Sequence, residues 1–320
     1  MIRATILALL ALGLVGPAQA QAFPERPIRL VVAFPPGGAT DTSARIVAQG
    51  LSARLGQSVV VENQTGAGGT IGARQVARAK PDGYTLLMVS AANTFGTSRL
   101  LYNLDYDPLK VFVPVAMAVI DRQVLVVTPS LSVKSLDELV QRARTEPGRL
   151  SYGSANGIMP HFLMELFKIK AGIDLLHVPY RGGAPMITDL LAGQIQMTMN
   201  GKSVLLPHIE AGKLKALGVT AAGRWRELPD VPTMTEAGYL DRPYDVLFGL
   251  VAPAGTPAAV IRKLNAAVND GLAAPDLRAS LAKLGIEPKT GSPEEFADII
   301  TNEAPHWAEI VRMTGIKLAE

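Results

Sequence analysis

Three short segments carry residues whose types and spacing could bind an anion: Phe34 to Thr40, Ser90 to Thr94, and Ser154 to Met159. Each follows an apolar run and precedes a helical period, which is the carboxyl edge of an open α/β sheet, where ligands collect. Gly37, Gly38 and Ala39 have no bulky side chain and lead straight into a helix. Unpaired N–H groups and the positive end of the helix macrodipole therefore fall together there. Ser154, Ala155, Asn156 and Gly157 before Pro160 repeat the arrangement, and two facing sites of this kind would suit a dicarboxylate. The same Pro-Gly and Asn-Gly pairs also serve as plain turn markers, and spacing alone leaves both readings open.

Other chemistries lack their residues. Gly66-Ala67-Gly68-Gly69-Thr70-Ile71-Gly72 has its last glycine one place late for a dinucleotide fingerprint and follows the second strand rather than the first. Ser154 sits in no G-x-S-x-G elbow. Of the four His residues only His161 stands beside a candidate pocket, and none has a metal-ligand spacing. The chain has no Cys, which removes disulfides, thiolate catalysis and Cys-bound metals. Catalytic residues, a metal site and a cofactor are accordingly not expected. Lys and Arg are scattered and the net charge is only +3, so nucleic acid is not expected as a partner.

The elements that must position these loops follow an alternating pattern. Ile28 to Ala33 reads as a buried parallel strand, Thr40 to Leu55 as a helix stopped by Gly56, and Val59 to Val61 and Tyr84 to Val89 as further strands with a helix between them. That is a βαβαβ unit. A second block starts with the strand Val124 to Val127 and a helix opened by Ser135 with Glu138. It continues through strands at Leu150 to Gly153, Leu175 to Val178, Ile195 to Met199 and Lys215 to Val219, with helices between. After a Pro-rich crossover, the strand Val246 to Ala252 and helices around 257–273 and 293–312 close the chain. The expected class is α/β with two lobes: 21–123 with 246–320 as a discontinuous lobe 1, and 124–245 inserted as lobe 2. Crossovers are expected near 113–123 and 229–245, with ligand in the cleft between lobes. A single large doubly wound sheet is the alternative.

Arg3, the apolar run Ile6 to Val15, the helix-breaking Pro17 and Ala18-Gln19-Ala20 read as a signal peptide over 1–20, cleaved after Ala20. The run is shorter than the roughly 20 residues a membrane span needs. Export to the periplasm as a soluble protein is the expectation.

Many short motifs then stand in one register. Pro27-Ile28-Arg29-Leu30-Val31-Val32 precedes Phe34-Pro35-Pro36-Gly37-Gly38 with Asp41, and Val59-Val60-Val61-Glu62-Asn63 precedes Gly66-Ala67-Gly68-Gly69. Pro81-Asp82-Gly83-Tyr84, Tyr106-Asp107-Pro108, His177-Val178-Pro179-Tyr180, Leu228-Pro229-Asp230-Val231-Pro232-Thr233 and Ala252-Pro253-Ala254-Gly255-Thr256-Pro257 follow. From Pro27 to the C-terminus the chain resembles the solute receptors of tripartite tricarboxylate transporters, the Bug (Bordetella uptake gene) family. The resemblance implies a type II periplasmic binding fold, each lobe a mostly parallel sheet flanked by helices. It implies a non-enzymatic receptor, expected to be a monomer, that hands a small organic carboxylate to the membrane subunits of a tripartite transporter.

It also implies that the loops at Gly37-Gly38 and at Ser154 to His161 grip carboxylates through backbone N–H groups and bridging waters. Ser90 and Asn93 would lie on the first lobe's side, Tyr180 and Gly182 on the second lobe's rim, and Asn200 after the Ile195–Met199 strand. Asp41 and Pro160 would support the loops. Two departures bear on the ligand. Asn156-Gly157-Ile158-Met159-Pro160 replaces a loop usually rich in Gly and Ser, and Asn200 stands where an acid is common. With Phe34 and Tyr180 as flat contact surface, these point to a carboxylate on an aromatic or apolar body.

Overall fold

The computed structural model describes residues 23–317. The signal peptide and cleavage point expected at residues 1–20 lie outside the described residues. In chain order the first block runs β1 (Ile28–Val32), α1 (Ala39–Leu55), β2 (Val59–Asn63), α2 (Thr70–Ala77) and β3 (Thr85–Ser90). A π-helical turn, Ala92–Thr97, then leads by two short helical turns to β4 (Phe112–Val127). The second block comprises α3 (Leu136–Thr145), β5 (Ser151–Ala155), α4 (Met159–Ala171), β6 (Leu176–Tyr180), α5 (Gly183–Leu191), β7 (Met197–Gly201), α6 (Lys202–Glu210) and β8 (Lys215–Val219). The chain returns through β9 (Asp245–Pro253), α7 (Ala258–Ala273), α8 (Pro275–Lys283), β10 (Glu287–Pro288) and α9 (Pro293–Thr314).

β1 is apolar except for Arg29 because it is an interior strand, parallel to β2 on one side and β3 on the other. β5 has the same place in the second block, parallel to both β6 and β7. The middle of the sheet is antiparallel: β3 pairs β9, β9 pairs β4, and β4 pairs β7 and β8. The result is a two-lobed α/β fold whose outer strands are parallel and whose shared centre is not.

Sequence pattern alone makes 113–123 a crossover, because Pro114 and the polar run Asp121-Arg122-Gln123 interrupt the apolar residues. The structure makes it part of one sixteen-residue strand. Residues 112–122 of β4 pair with β9, whereas 123–127 pair with β7 and β8. Pro114, which cannot donate to a ladder, sits at a register shift in the β4–β9 pairing. The sequence reading also lacked α8 and β10. The return segment between β8 and β9 holds turns and isolated bridges instead of a regular element.

Close helix packing fixes the loops. α1 lies on α7 where Gly50 meets Gly271; a Cβ on Gly271 would come within 3.1 Å of the Gly50 backbone. α9 starts with a complete Ser292/Glu295 capping box and presses Trp307 against Gly96 of the π-helical turn. A Cβ on Gly96 would be 2.8 Å from that side chain, so only glycine lets the turn sit this deep.

Candidate functional site

A cavity with about 700 Å³ of empty volume, part of it open to solvent, is lined by residues of both blocks of the fold. Of the residues expected at a site, Phe34, Gly38, Ala39, Asn93, Pro160, Gly182 and Asn200 line it. No described lining residue carries a formal charge, so any anion held there must be met by dipoles and neutral donors.

The β1–α1 loop is built to offer such donors. Gly37 takes φ +80°, a left-handed conformation that favours glycine, and its N–H donates to Asp41 Oδ2 at 3.0 Å. Gly38 is extended, with φ −88°, and caps α1 without any side-chain bond. The N–H groups of Ala39, Thr40 and Asp41 are therefore first-turn donors with no intrahelical acceptor. Asp41 does not compete as a free charge: Arg45 donates to both its oxygens, at 2.9 and 3.0 Å, and Asn63 Nδ2 donates to Oδ1 at 2.9 Å. Burial alone would push the Asp41 carboxyl up, but the hydrogen bonds from Arg45, Asn63 and Gly37 outweigh it and hold the carboxyl below its ordinary pKa. Asn63 Nδ2 also donates to the Phe34 carbonyl at 2.9 Å, which locks the loop from behind.

α5 presents a second start of the same kind. Its N-cap, Gly182, is fully extended and supplies no side-chain bond, leaving the N–H groups of Gly183 and Ala184 as open first-turn donors. The two helix starts meet across the cleft. A Cβ on Gly183 would lie 3.6 Å from Gly38 Cα, and one on Gly182 only 2.9 Å from Pro35 Cγ. Gly183, with Pro35, lines the cavity and was not among the expected residues. The doublet Gly182-Gly183 ahead of an amphipathic helix is the signal that could have found it, being the same signature as Gly37-Gly38.

The α4 start differs from the sequence expectation. Met159 N–H donates to Asn93 Oδ1 at 2.9 Å, His161 N–H to the Ile158 carbonyl at 2.9 Å, and Pro160 has no N–H to give. Gly157 N–H donates to His161 Nδ1 at 3.2 Å, and Thr97 Oγ1 donates to the Gly157 carbonyl at 3.0 Å. In this first turn the N–H groups of Gly157, Met159 and His161 are taken by protein groups, which leaves fewer open donors than the sequence implies. Ser154 is 1% exposed and off the cavity, its Oγ paired with His177 Nε2 at 2.8 Å. His161 is buried behind the loop and stacks on His177 with ring centroids 3.9 Å apart. Burial first, then the His177 ring and Lys168, push His161 down to about 3, so it stays neutral and accepts from Gly157.

The other expected residues also stand off the cavity lining. Asn156 is exposed. Tyr180 turns into its own lobe, where its hydroxyl donates to Asp189 Oδ2 at 2.7 Å. Ser90, at the end of β3, is 2% exposed and its hydroxyl has no partner among the described residues. Conversely, Gln123, Met186, Val204, Val246 and Phe248 line the cavity without any local signal that marks them. They reach it from strands and helices that only the sheet topology brings together. Among the described residues no group of three or more His, Asp or Glu is placed to hold a metal.

Comparison with known proteins gives the family. Residues 43–316 match the sequence profile of the tripartite tricarboxylate transporter family receptors. The chain is 42% identical over 296 residues to the UPF0065 protein in the tcbD-tcbE intergenic region of Pseudomonas sp. strain P51, covering 91% of this chain and 87% of that one. It is 37% identical to protein BugT of Bordetella pertussis, covering 96% and 94%. Its fold is similar to that of an R. palustris protein solved with adipate, with a TM-score of 0.88, 37% identity and coverage of 92% and 99%. It is also similar to MatC of Rhodopseudomonas palustris with bound malate, with a TM-score of 0.85, 33% identity and coverage of 90% and 100%.

Proposed function

The chain belongs to the tripartite tricarboxylate transporter receptor family, and from that premise we propose that it captures a small organic carboxylate in the periplasm for the membrane subunits of a tripartite transporter. The protein is a receptor and not an enzyme. Lobe 1, 21–123 with 246–320, and lobe 2, 124–245, close on the solute. The change of β4 pairing partners between Arg122 and Gln123 supports that division.

One observation carries the ligand class: two helix starts with glycine N-caps, α1 and α5, meet at a cavity whose lining is otherwise uncharged and largely apolar. Open N–H donors and aligned macrodipoles there favour carboxylate oxygens. Phe34, Phe248, Val246, Ile158, Met159 and Met186 then surround the rest of the solute, which fits an aromatic or apolar body. The adipate seen in one relative has that form, two carboxylates on a methylene chain.

A thermal-shift panel tests this. Benzoate, terephthalate and adipate are set against citrate, glutamate and an amine control. At ligand near 100 times its dissociation constant, binding stabilises by about 2.7 kcal/mol. At roughly 2–4 °C per kcal/mol for a chain of this size, the expected shift is several degrees. A response to citrate or glutamate alone would reject the apolar body, and a panel with no carboxylate response would reject the receptor's ligand class.

A further inference from the structure

Gln123 lines the cavity and carries an unmatched buried polar group. Its side chain is 1% exposed and lines the site, yet Oε1 has no hydrogen-bond partner among the described residues. The orientation of the amide is not arbitrary. Nε2 donates to the Asp121 carbonyl at 3.2 Å, and a flipped amide would set oxygen against oxygen there. The backbone is equally fixed, with Gln123 N–H on Thr220 Oγ1 at 3.2 Å and the Gln123 carbonyl accepting from Thr220 N–H at 3.0 Å. A buried amide oxygen held this firmly calls for a donor from the solute.

The carboxylates of the solute cannot supply it, since an ionised carboxylate only accepts. An ammonium could, but among the described residues no acid lines the cavity to balance it, and an unpaired buried charge is far costlier than a neutral donor. A hydroxyl satisfies both demands. The neighbouring strand offers the complement: in the β4–β7 register Gln123 faces Gly201 and Val124 faces Asn200. Asn200 Oδ1 accepts from Gly201 N–H at 2.8 Å, which leaves Nδ2 as a donor whose one hydrogen-bond partner among the described residues is Met186 Sδ at 3.9 Å. A hydroxyl is one donor and an acceptor in a single group.

We propose that Gln123 is a specificity-determining residue that reads a hydroxyl on the body of the bound carboxylate, with Asn200 as the matching donor, so that the preferred solute is a hydroxycarboxylate. This rests on the carboxylate-receptor reading above and narrows its substrate class. The cost of leaving Oε1 unpaired in every complex with a deoxy acid is what creates the preference.

Calorimetry on the mature protein with matched pairs tests it: benzoate against 3- and 4-hydroxybenzoate, succinate against malate, and glutarate against 2-hydroxyglutarate. In at least one pair the hydroxy acid is expected to bind about tenfold or more tighter, the effect of satisfying one buried polar group. In Gln123→Met, which keeps the length and removes the acceptor, that ratio should collapse towards one while the deoxy acid binds as well or better. Equal affinity within every pair for the wild-type protein overturns the assignment and leaves the receptor reading intact, and it needs no variant to fold. A hydroxyl preference that survives in folded Gln123→Met also overturns it. Failure of every acid to bind overturns both readings.

Discussion

Helices α1 and α4 begin alike, each after a short Gly-bearing turn at the end of a parallel strand, and their first turns have opposite chemistry. At α1 the N-cap is Gly38, no side chain closes it, and the nearby Asp41 is neutralised by Arg45. At α4 the N–H groups of Met159, His161 and Gly157 are bound by Asn93, Ile158 and His161, all within the protein. A helix N-terminus is an anion site only when its donors are left open, and what decides that here is residues distant in sequence, such as Asn93 reaching Met159. The true counterpart of α1 is α5, whose start is again glycine and again open.

Removing donors from the open pair should have the largest effect. Ala39→Pro and Gly183→Pro each place proline at the first helical position, where it is tolerated, and each deletes one N–H. Hydrogen bonds to a charged group are worth about 1.5–3 kcal/mol, so each change should weaken carboxylate binding by roughly 10- to 100-fold. Titration calorimetry reads this, with circular dichroism to verify the fold; unaltered affinity in a folded variant would place the anion elsewhere.

At α4 the expected effect is on stability and pH instead. His161 is depressed to about 3 in the folded protein, well below its unfolded value, so its contribution is present above about pH 6.5 and is lost as pH falls towards 3. Between pH 6.5 and 5 that loss is on the order of 2 kcal/mol. His177 and His306 are depressed too and act in the same direction. Fully buried Asp121, raised to about 6 by desolvation, opposes them, because its protonation favours the folded state over that range. His161→Asn keeps an acceptor for Gly157 and removes the titration, so its denaturation midpoint should vary less over this interval than that of the wild type. An identical pH profile would mean that the ring does not stay neutral.

Thr97→Val deletes the bond from Thr97 Oγ1 to the Gly157 carbonyl at nearly constant shape. About 1 kcal/mol of stability should go with it. The ligand should also dissociate a few times faster, since this bond spans the cleft; stopped-flow measurement of release would check that, and an unchanged rate would remove the bond from closure. The smallest effect is expected from Ser154→Ala. Its hydroxyl faces His177 and not the cavity, so carboxylate affinity should stay within about twofold while stability falls by about 1 kcal/mol. A tenfold loss of affinity there would erase the contrast between α1 and α4.

Local signals carried much of the architecture. Val31 and Val32 before Phe34-Pro35-Pro36-Gly37-Gly38 announce a buried strand, a turn and a helix start, and the structure has all three. β4 was half hidden because a proline and three polar residues look like a break when the pairing partners are far away in the chain. The same limit applies to the site. Gly38 and Ala39 are legible because an open helix start is a local property, whereas Val246 and Phe248 reach the cavity only through the β4–β9 pairing and Gln123 only through the β4–β7 pairing. His161 shows the reverse case: a polar residue at a helix start suggests a ligand contact, and burial behind the loop makes it a brace for the backbone.

The sixteen residues of β4 pair with strands of both blocks, and that makes the connection between the lobes a torsion bar instead of a slack tether. Opening the cleft would wring one continuous hydrogen-bonded ribbon, and β-ribbons accept added twist far more readily than broken ladders. Angular travel would then be small and spread along the strand, with an elastic return. In such a device the latch sets the timing and the spring does not. The groups that clasp across the mouth, Asn93 on Met159 and Thr97 on Gly157, would govern how long a solute is retained, and the shared strand how far the jaws part.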